Sequence, residues 1–193
     1  GLSGAEARAR ARSWLDRVGL ASSANQHVER LSKGMGQKVQ IASALLSEPE
    51  LAVLDEPFSG LDPVNLVLVR DLIGEIKRSG RTIILSTHQM SMVETLCDRV
   101  ALLSSGVRVI YGAVNDVRRQ YSSPELRIVV DRALPELPGV ERSVEDGAGG
   151  HRLLLTEGAD PQRVLEALLA AGCRVERFER VLAPMEDIFI RAV

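Results

Sequence analysis

The sequence predicts an α/β fold with a parallel sheet over residues 1–120, followed by a small α+β module over residues 121–193. Three observations carry this. Leu51-Ala52-Val53-Leu54 and Thr82-Ile83-Ile84-Leu85 are short, continuous apolar runs, the pattern of strands buried on both faces of a parallel sheet. A helical pattern lies between them, and strand, helix, strand in that order implies a right-handed crossover. The pattern then changes at Tyr121-Ser122-Ser123-Pro124, which reads as a linker.

Each element has its own signal. Ala7, Ala11, Trp14, Leu15 and Val18 recur at helical spacing over residues 5–18, and Gly19 is a natural stop. Met35, Val39, Ala42, Leu45 and Leu46 share one face of a helix over about 35–47, ended by Pro49. Asp62-Pro63 is an N-cap followed by proline at the first helical position, and that helix runs to Gly80 with Leu66, Val69, Ile73 and Ile76 inward. Ser91-x-x-Glu94 has the form of a capping box opening a further helix. Val100–Leu103 and Val107–Ile110 flank Ser104-Ser105-Gly106, which predicts a hairpin. Beyond the linker, Leu126–Val130, Arg152–Thr156 and Cys173–Phe178 read as strands. Asp160-Pro161 opens a helix closed by Gly172, and Pro184–Ala192 forms a last short one.

Composition narrows the function. The chain has 193 residues, enough to bury a core, with 45% hydrophobic and 26% charged residues. A net charge of −2 implies no strongly basic face, so nucleic acid is not the expected partner. No run reaches the roughly 18 apolar residues that a membrane span needs, so no direct membrane insertion is expected. Cys97 and Cys173 lie far apart and form no metal-type pair.

Four segments carry the chemistry. Leu51–Leu54 delivers Asp55 and Glu56 to the carboxyl end of a strand, where open α/β sheets bind ligands. Asp55 suits Mg²⁺, which takes oxygen ligands, and Glu56 suits the orientation and deprotonation of a water. The same Asp-Glu-Pro also makes a plain strand-ending turn. Ser86-Thr87-His88 follows the next strand on the same sheet edge, where a histidine donates to a phosphate oxygen or stands in an exposed loop. Leu31-Ser32-Lys33-Gly34-Met35-Gly36-Gln37-Lys38 places a hydroxyl, small residues and a lysine, Lys33, at a helix start. That is an anion site or an ordinary capped helix. Ser59-Gly60-Leu61-Asp62-Pro63 is a tight turn and a helix N-cap.

Taken in order and at this spacing, the four segments resemble the ATP-binding subunit of an ABC transporter. Leu31–Met35 resembles its signature motif, with Lys33 in place of a glycine and Met35 in place of a glutamine. Leu51–Glu56 resembles its Walker B strand, Ser59–Asp62 its D-loop and His88 its switch histidine. Pro184-Met185-Glu186-Asp187-Ile188-Phe189 resembles the end of the appended domain of prokaryotic export-type members.

The resemblance implies a partial P-loop NTPase sheet with a piece of the helical subdomain. It implies two ATPase subunits paired head to tail, with ATP between the P-loop of one and the signature of the other. Ser32, Lys33 and Gly34 would then face the partner's ATP. Asp55 would hold Mg²⁺ through water, Glu56 would be the general base, His88 would meet the γ-phosphate, and Asp62 would couple the two sites. It further implies a separate membrane permease, a place on the cytoplasmic face of the membrane, and transport outward.

One part of the family pattern has no counterpart. The phosphate-cradling loop reads G-x-x-x-x-G-K-[ST], and no glycine in this chain precedes a lysine. The chain also starts with Gly1 and not methionine. These features lead to the expectation of an ATPase whose Walker A half precedes residue 1, with weak ATP binding by these residues alone and apolar strand faces left open. A non-catalytic subunit that lends its signature to a complete partner, and an ABC-type ATPase outside transport, are the competing readings.

Overall fold

The computed structural model describes residues 3–146 and 150–193, so Gly1 lies outside it. The chain divides between Cys97 and Asp98 into two compact units.

In the first unit, Ser3 caps helix α1 (Gly4–Arg17) and closes a capping box with Glu6. Gly19, at φ +69°, ends it in the left-handed region. Helix α2 (Lys33–Leu45) starts at its cap Ser32. Strand β1 (Leu51–Asp55) pairs in parallel with β2 (Thr82–Ser86), from Leu51 opposite Thr82 to Asp55 opposite Ser86. Helix α3 (Pro63–Arg78) forms the crossover, capped by Asp62 with Pro63 in its first turn. Helix α4 (Met90–Leu96) follows β2. Trp14, Leu45, Leu54, Phe58, Val69 and Ile73 are among the core side chains that hold these elements together.

Two expectations are corrected here. The apolar run Leu51–Leu54 is buried on one face only. Ala52 and Leu54 lie in the core, while Leu51 is 52% exposed, Val53 67%, and Ile84 on β2 54%. The cause is the two-stranded sheet, whose second face is left uncovered among the described residues. This matches the expectation that apolar strand faces stand open. The capping box at Ser91 does not form. The cap of α4 is Gln89, whose carbonyl accepts from Met92 and whose own N–H is held by the Thr87 hydroxyl, so the helix has begun before Ser91.

The second unit opens with the antiparallel hairpin β3 (Arg99–Ser104) and β4 (Val107–Ala113). Its two-residue turn places Ser105 and Gly106 both at positive φ, as a primed turn requires. Helix α5 (Val114–Tyr121) runs into the segment read as a linker, so Tyr121 is helical and Ser122 is its C-cap. The sheet then has the order β6-β7-β5-β8, from β5 (Glu125–Val130), β6 (Val140–Glu145), β7 (Gly150–Leu155) and β8 (Val175–Arg180). Helix α6 (Pro161–Ala170) joins β7 to β8, and its Val164 and Leu168 pack on Leu126, Ile128 and Leu153. Helix α7 (Met185–Ala192) closes the chain with Met185 and Ile188 fully buried. Arg118 on α5 donates to the Ala183 carbonyl, and Ala183 N–H donates to the Ser122 hydroxyl. These ties join α5 to the tail, and the compact division accordingly precedes residue 121.

Candidate functional site

Parallel pairing sets the centre of the site. Because Asp55 and Ser86 are register partners at the carboxyl ends of β1 and β2, the Ser86 hydroxyl reaches across and donates to Asp55 Oδ1. Glu56, the next residue, adopts φ +43°, a strained conformation for a non-glycine residue. Its N–H donates to the Ser86 carbonyl at 3.0 Å, and its own carbonyl accepts from Gln37 Nε2 at 3.1 Å.

The Glu56 carboxylate is divided in its duties. Oε1 accepts from the backbone N–H of His88 at 3.1 Å and from His88 Nδ1 at 2.8 Å. Oε2 is buried and has no hydrogen-bond partner among the described residues. An orphaned buried oxygen is costly, and it marks a place for a donor such as water. The His88 ring itself is 77% exposed. So three residues singled out in sequence, Asp55, Glu56 and His88, stand on one sheet edge.

The other two segments form a second cluster. Ser32 Oγ accepts from Met35 N at 3.2 Å, which leaves its own O–H free to donate. The N–H groups of Lys33 and Gly34 have no partner inside the helix. Gly34 approaches the turn before α3 so closely that a Cβ there would lie 3.1 Å from the Gly60 carbonyl oxygen. Gly60 sits at φ +71° with the Lys33 stem across it. Asp62 Oδ1 accepts from Val64 N at 3.0 Å and Asn65 N at 2.9 Å. The Asn65 backbone bond, above all, holds the Asp62 carboxyl below its usual range, and the Asn65 side chain adds to this.

Gln37 and Lys38 lie in the segment singled out in the sequence but carry no assigned role there, and Asn65 is not singled out. Gln37 supports Glu56 from α2. Lys38 is buried, and its ammonium donates to Asn65 Oδ1 at 2.8 Å. Burial pushes this lysine below its ordinary value, and the charge of Asp62 works against that. The available signal was a lysine on the apolar face of α2, between Met35 and Ile41.

Sequence comparison decides the family. The chain is 37% identical over 185 residues to an uncharacterised ABC transporter ATP-binding protein of Alkalihalophilus pseudofirmus, covering 94% of this chain and 68% of that protein. The chain belongs to the ABC transporter ATP-binding protein family. The family model described as ABC transporter matches residues 3–59, and the one described as ATP-binding protein DrrA1-3-like, C-terminal domain, matches residues 112–193. A solved structure described as the ATP-binding subunit of an ABC transporter is 39% identical with a TM-score of 0.57, over 63% of this chain and 50% of that one.

Other relatives of this ABC protein carry names for both directions of transport. A fluoroquinolones export ATP-binding protein of Mycobacterium tuberculosis is 42% identical over 111 residues, 58% of this chain and 37% of that protein. A methionine import ATP-binding protein of Caulobacter vibrioides is 38% identical over 157 residues, 81% of this chain and 46% of that protein. The chain thus spans 68% of the Alkalihalophilus relative and less than half of the fluoroquinolone and methionine relatives.

The donor set limits what an ion would find in this ABC chain. Among the described residues no group of three or more His, Cys, Asp or Glu side chains converges as a metal cage. Mg²⁺ keeps most of its waters and takes one or two carboxylates plus phosphate oxygens, so the single carboxylate of Asp55, steadied by the Ser86 hydroxyl, fits that chemistry. No described helix is long and apolar enough to cross a membrane.

Proposed function

We propose that this chain supplies the signature, D-loop and water-activating parts of an ATPase that powers outward transport through a separate permease. The carrying observation is Glu56, with one oxygen fixed by His88 and the other buried and vacant.

A water bound at Oε2 would be aimed by a carboxylate that cannot rotate away. As the water attacks the γ-phosphorus, its proton passes to Glu56, and the bond from γ-phosphorus to the bridging oxygen of ADP breaks. His88 gives Nδ1–H to Glu56, which leaves Nε2 for a γ-phosphate oxygen. Phosphoryl transfer rests on such positioning and charge stabilisation. Asp55, steadied by the Ser86 hydroxyl, is the residue to hold Mg²⁺ through water, and the ion would neutralise charge on the phosphates. Ser32, Lys33 and Gly34 present a hydroxyl, an ammonium and free N–H groups to the ATP of a second ATPase subunit, and Asp62 lies at the joint between the two subunits. The export direction draws on the fluoroquinolone relative and on the resemblance of Pro184–Phe189 to the end of export-type members. A permease partner implies a cytoplasmic place at the membrane face.

The test is Glu56→Gln in the assembled transporter. ATP turnover falls by roughly 10²–10⁴, the usual share of a general base, while nucleotide is still bound. Turnover at the wild-type rate would overturn the assignment.

A further inference from the structure

Lys38 is the one charged side chain that is buried among the described residues, at 5% exposure. It lies on the face of α2 that also buries Ile41, Ala42 and Leu45. An apolar residue of the same length would fill that place without the cost of desolvating an ammonium. The contacts of the ammonium are therefore the informative feature.

They form a chain of three. Lys38 Nζ donates to Asn65 Oδ1 at 2.8 Å, and Asn65 Nδ2 donates to Asp62 Oδ2 at 2.5 Å. One amide thus bridges a buried cation and a carboxylate, each end polarising the other. Asp62 at the same time caps α3 through Val64 N and Asn65 N. The N-terminal end of α2, the end nearer this anchor, is Ser32–Gly34, where Gly34 and the Lys33 stem pack on Gly60.

The geometry points to Lys38 as a positioning residue that fastens the signature helix to the D-loop cap, so that Ser32–Gly34 and Gly60–Asp62 present to a partner subunit as one body. This rests on the reading of those two segments as the nucleotide-facing ones. The fastening itself is a property of this chain and is tested without nucleotide.

The test is amide hydrogen exchange on the full chain carrying Lys38→Met, with Asn65→Ala breaking the same relay from its other end. In both variants the Val64, Asn65 and Met35 amides exchange roughly tenfold faster, the scale of one lost hydrogen bond to a charged group. The central α3 amides of Val69 to Ile73 keep their protection, and the double variant is no worse than the more affected single one. An even rise across the whole first unit would make Lys38 a packing residue only. Unchanged exchange at Val64 and Asn65 would also overturn the proposal. Asn65→Ala alone carries the test should Lys38→Met not fold. Failure of the ATPase reading would show instead in the Glu56→Gln turnover, with the exchange pattern intact.

Discussion

His88 converges on a single oxygen of Glu56 twice, through its backbone N–H at 3.1 Å and its imidazole Nδ1 at 2.8 Å. With Nδ1–H committed to the carboxylate, Nε2 can donate to a phosphate only when the ring is charged. Because the ring is otherwise exposed, His88→Ala changes stability by less than about 0.5 kcal/mol. In the assembled transporter it lowers ATP turnover by about 10²–10⁴. Calorimetry and a turnover assay on the same variant separate the two effects.

Asp62 predicts a pH signature. Its carboxyl is held below the ordinary value of 3.8, chiefly by the Asn65 backbone bond. The carboxylate form is thus the one the fold prefers, and its contribution is full above that ordinary value. It is lost as pH falls through the lowered one. Asp62→Ala therefore lowers the Tm most at neutral pH, and the gap to wild type closes under strong acid. Melting curves across pH check this, and a gap that widened in acid would contradict it.

Gly60 predicts a steric signature. At φ +71°, with a would-be Cβ 3.0 Å from the Lys33 stem, Gly60→Ala costs about 1–3 kcal/mol from backbone strain and crowding together. Adding Lys33→Gly removes the crowding and leaves the φ strain. Urea unfolding of the single and double variants gives the two parts, and the double variant recovers only some of the loss.

Leu168 lies fully buried on the inner side of the second unit's sheet. Leu168→Ala leaves a cavity and costs about 2–5 kcal/mol, read by denaturant unfolding.

The open face of the β1–β2 sheet predicts self-association. Val53→Thr with Ile84→Thr shortens no core contact, since both side chains stand largely in solvent. The pair keeps the melting temperature and lowers the sedimentation mass at high concentration, because exposed apolar strands drive association.

Legibility in the sequence followed local chemistry. The Asp62-Pro63 start of α3 and the Gly19 and Gly172 stops sit where their side chains and φ preferences put them. Other features depend on neighbours distant in the chain. Strand β6 is an edge strand of mostly polar residues, Val140-Glu141-Arg142-Ser143-Val144-Glu145, and its pairing with β7 is what makes it a strand. Helix α5 is polar but for Val114, Val117 and Tyr121, and it is tied through Arg118 and Ser122 to Ala183, more than sixty residues on. The β5–β6 connection carries Pro135 and Pro138, which keep it from becoming a helix, while Leu134 and Leu137 still pack on the core. The order of motifs singled out Asp55, Glu56 and His88, which the fold brings to one sheet edge. The division of the Glu56 carboxylate into a held and a vacant oxygen is a matter of distances that no spacing encodes.

Trp14 is the only tryptophan in the chain, and it is buried in the first unit under the Arg17 guanidinium, 4.4 Å from its ring centre. Both tyrosines, Tyr111 between Arg99 and Arg108 and Tyr121 at the end of α5, belong to the second unit. The molecule therefore carries a separate intrinsic fluorophore for each unit. Tryptophan emission follows the first unit alone, tyrosine emission follows the second, and their melting can be watched independently with no added label.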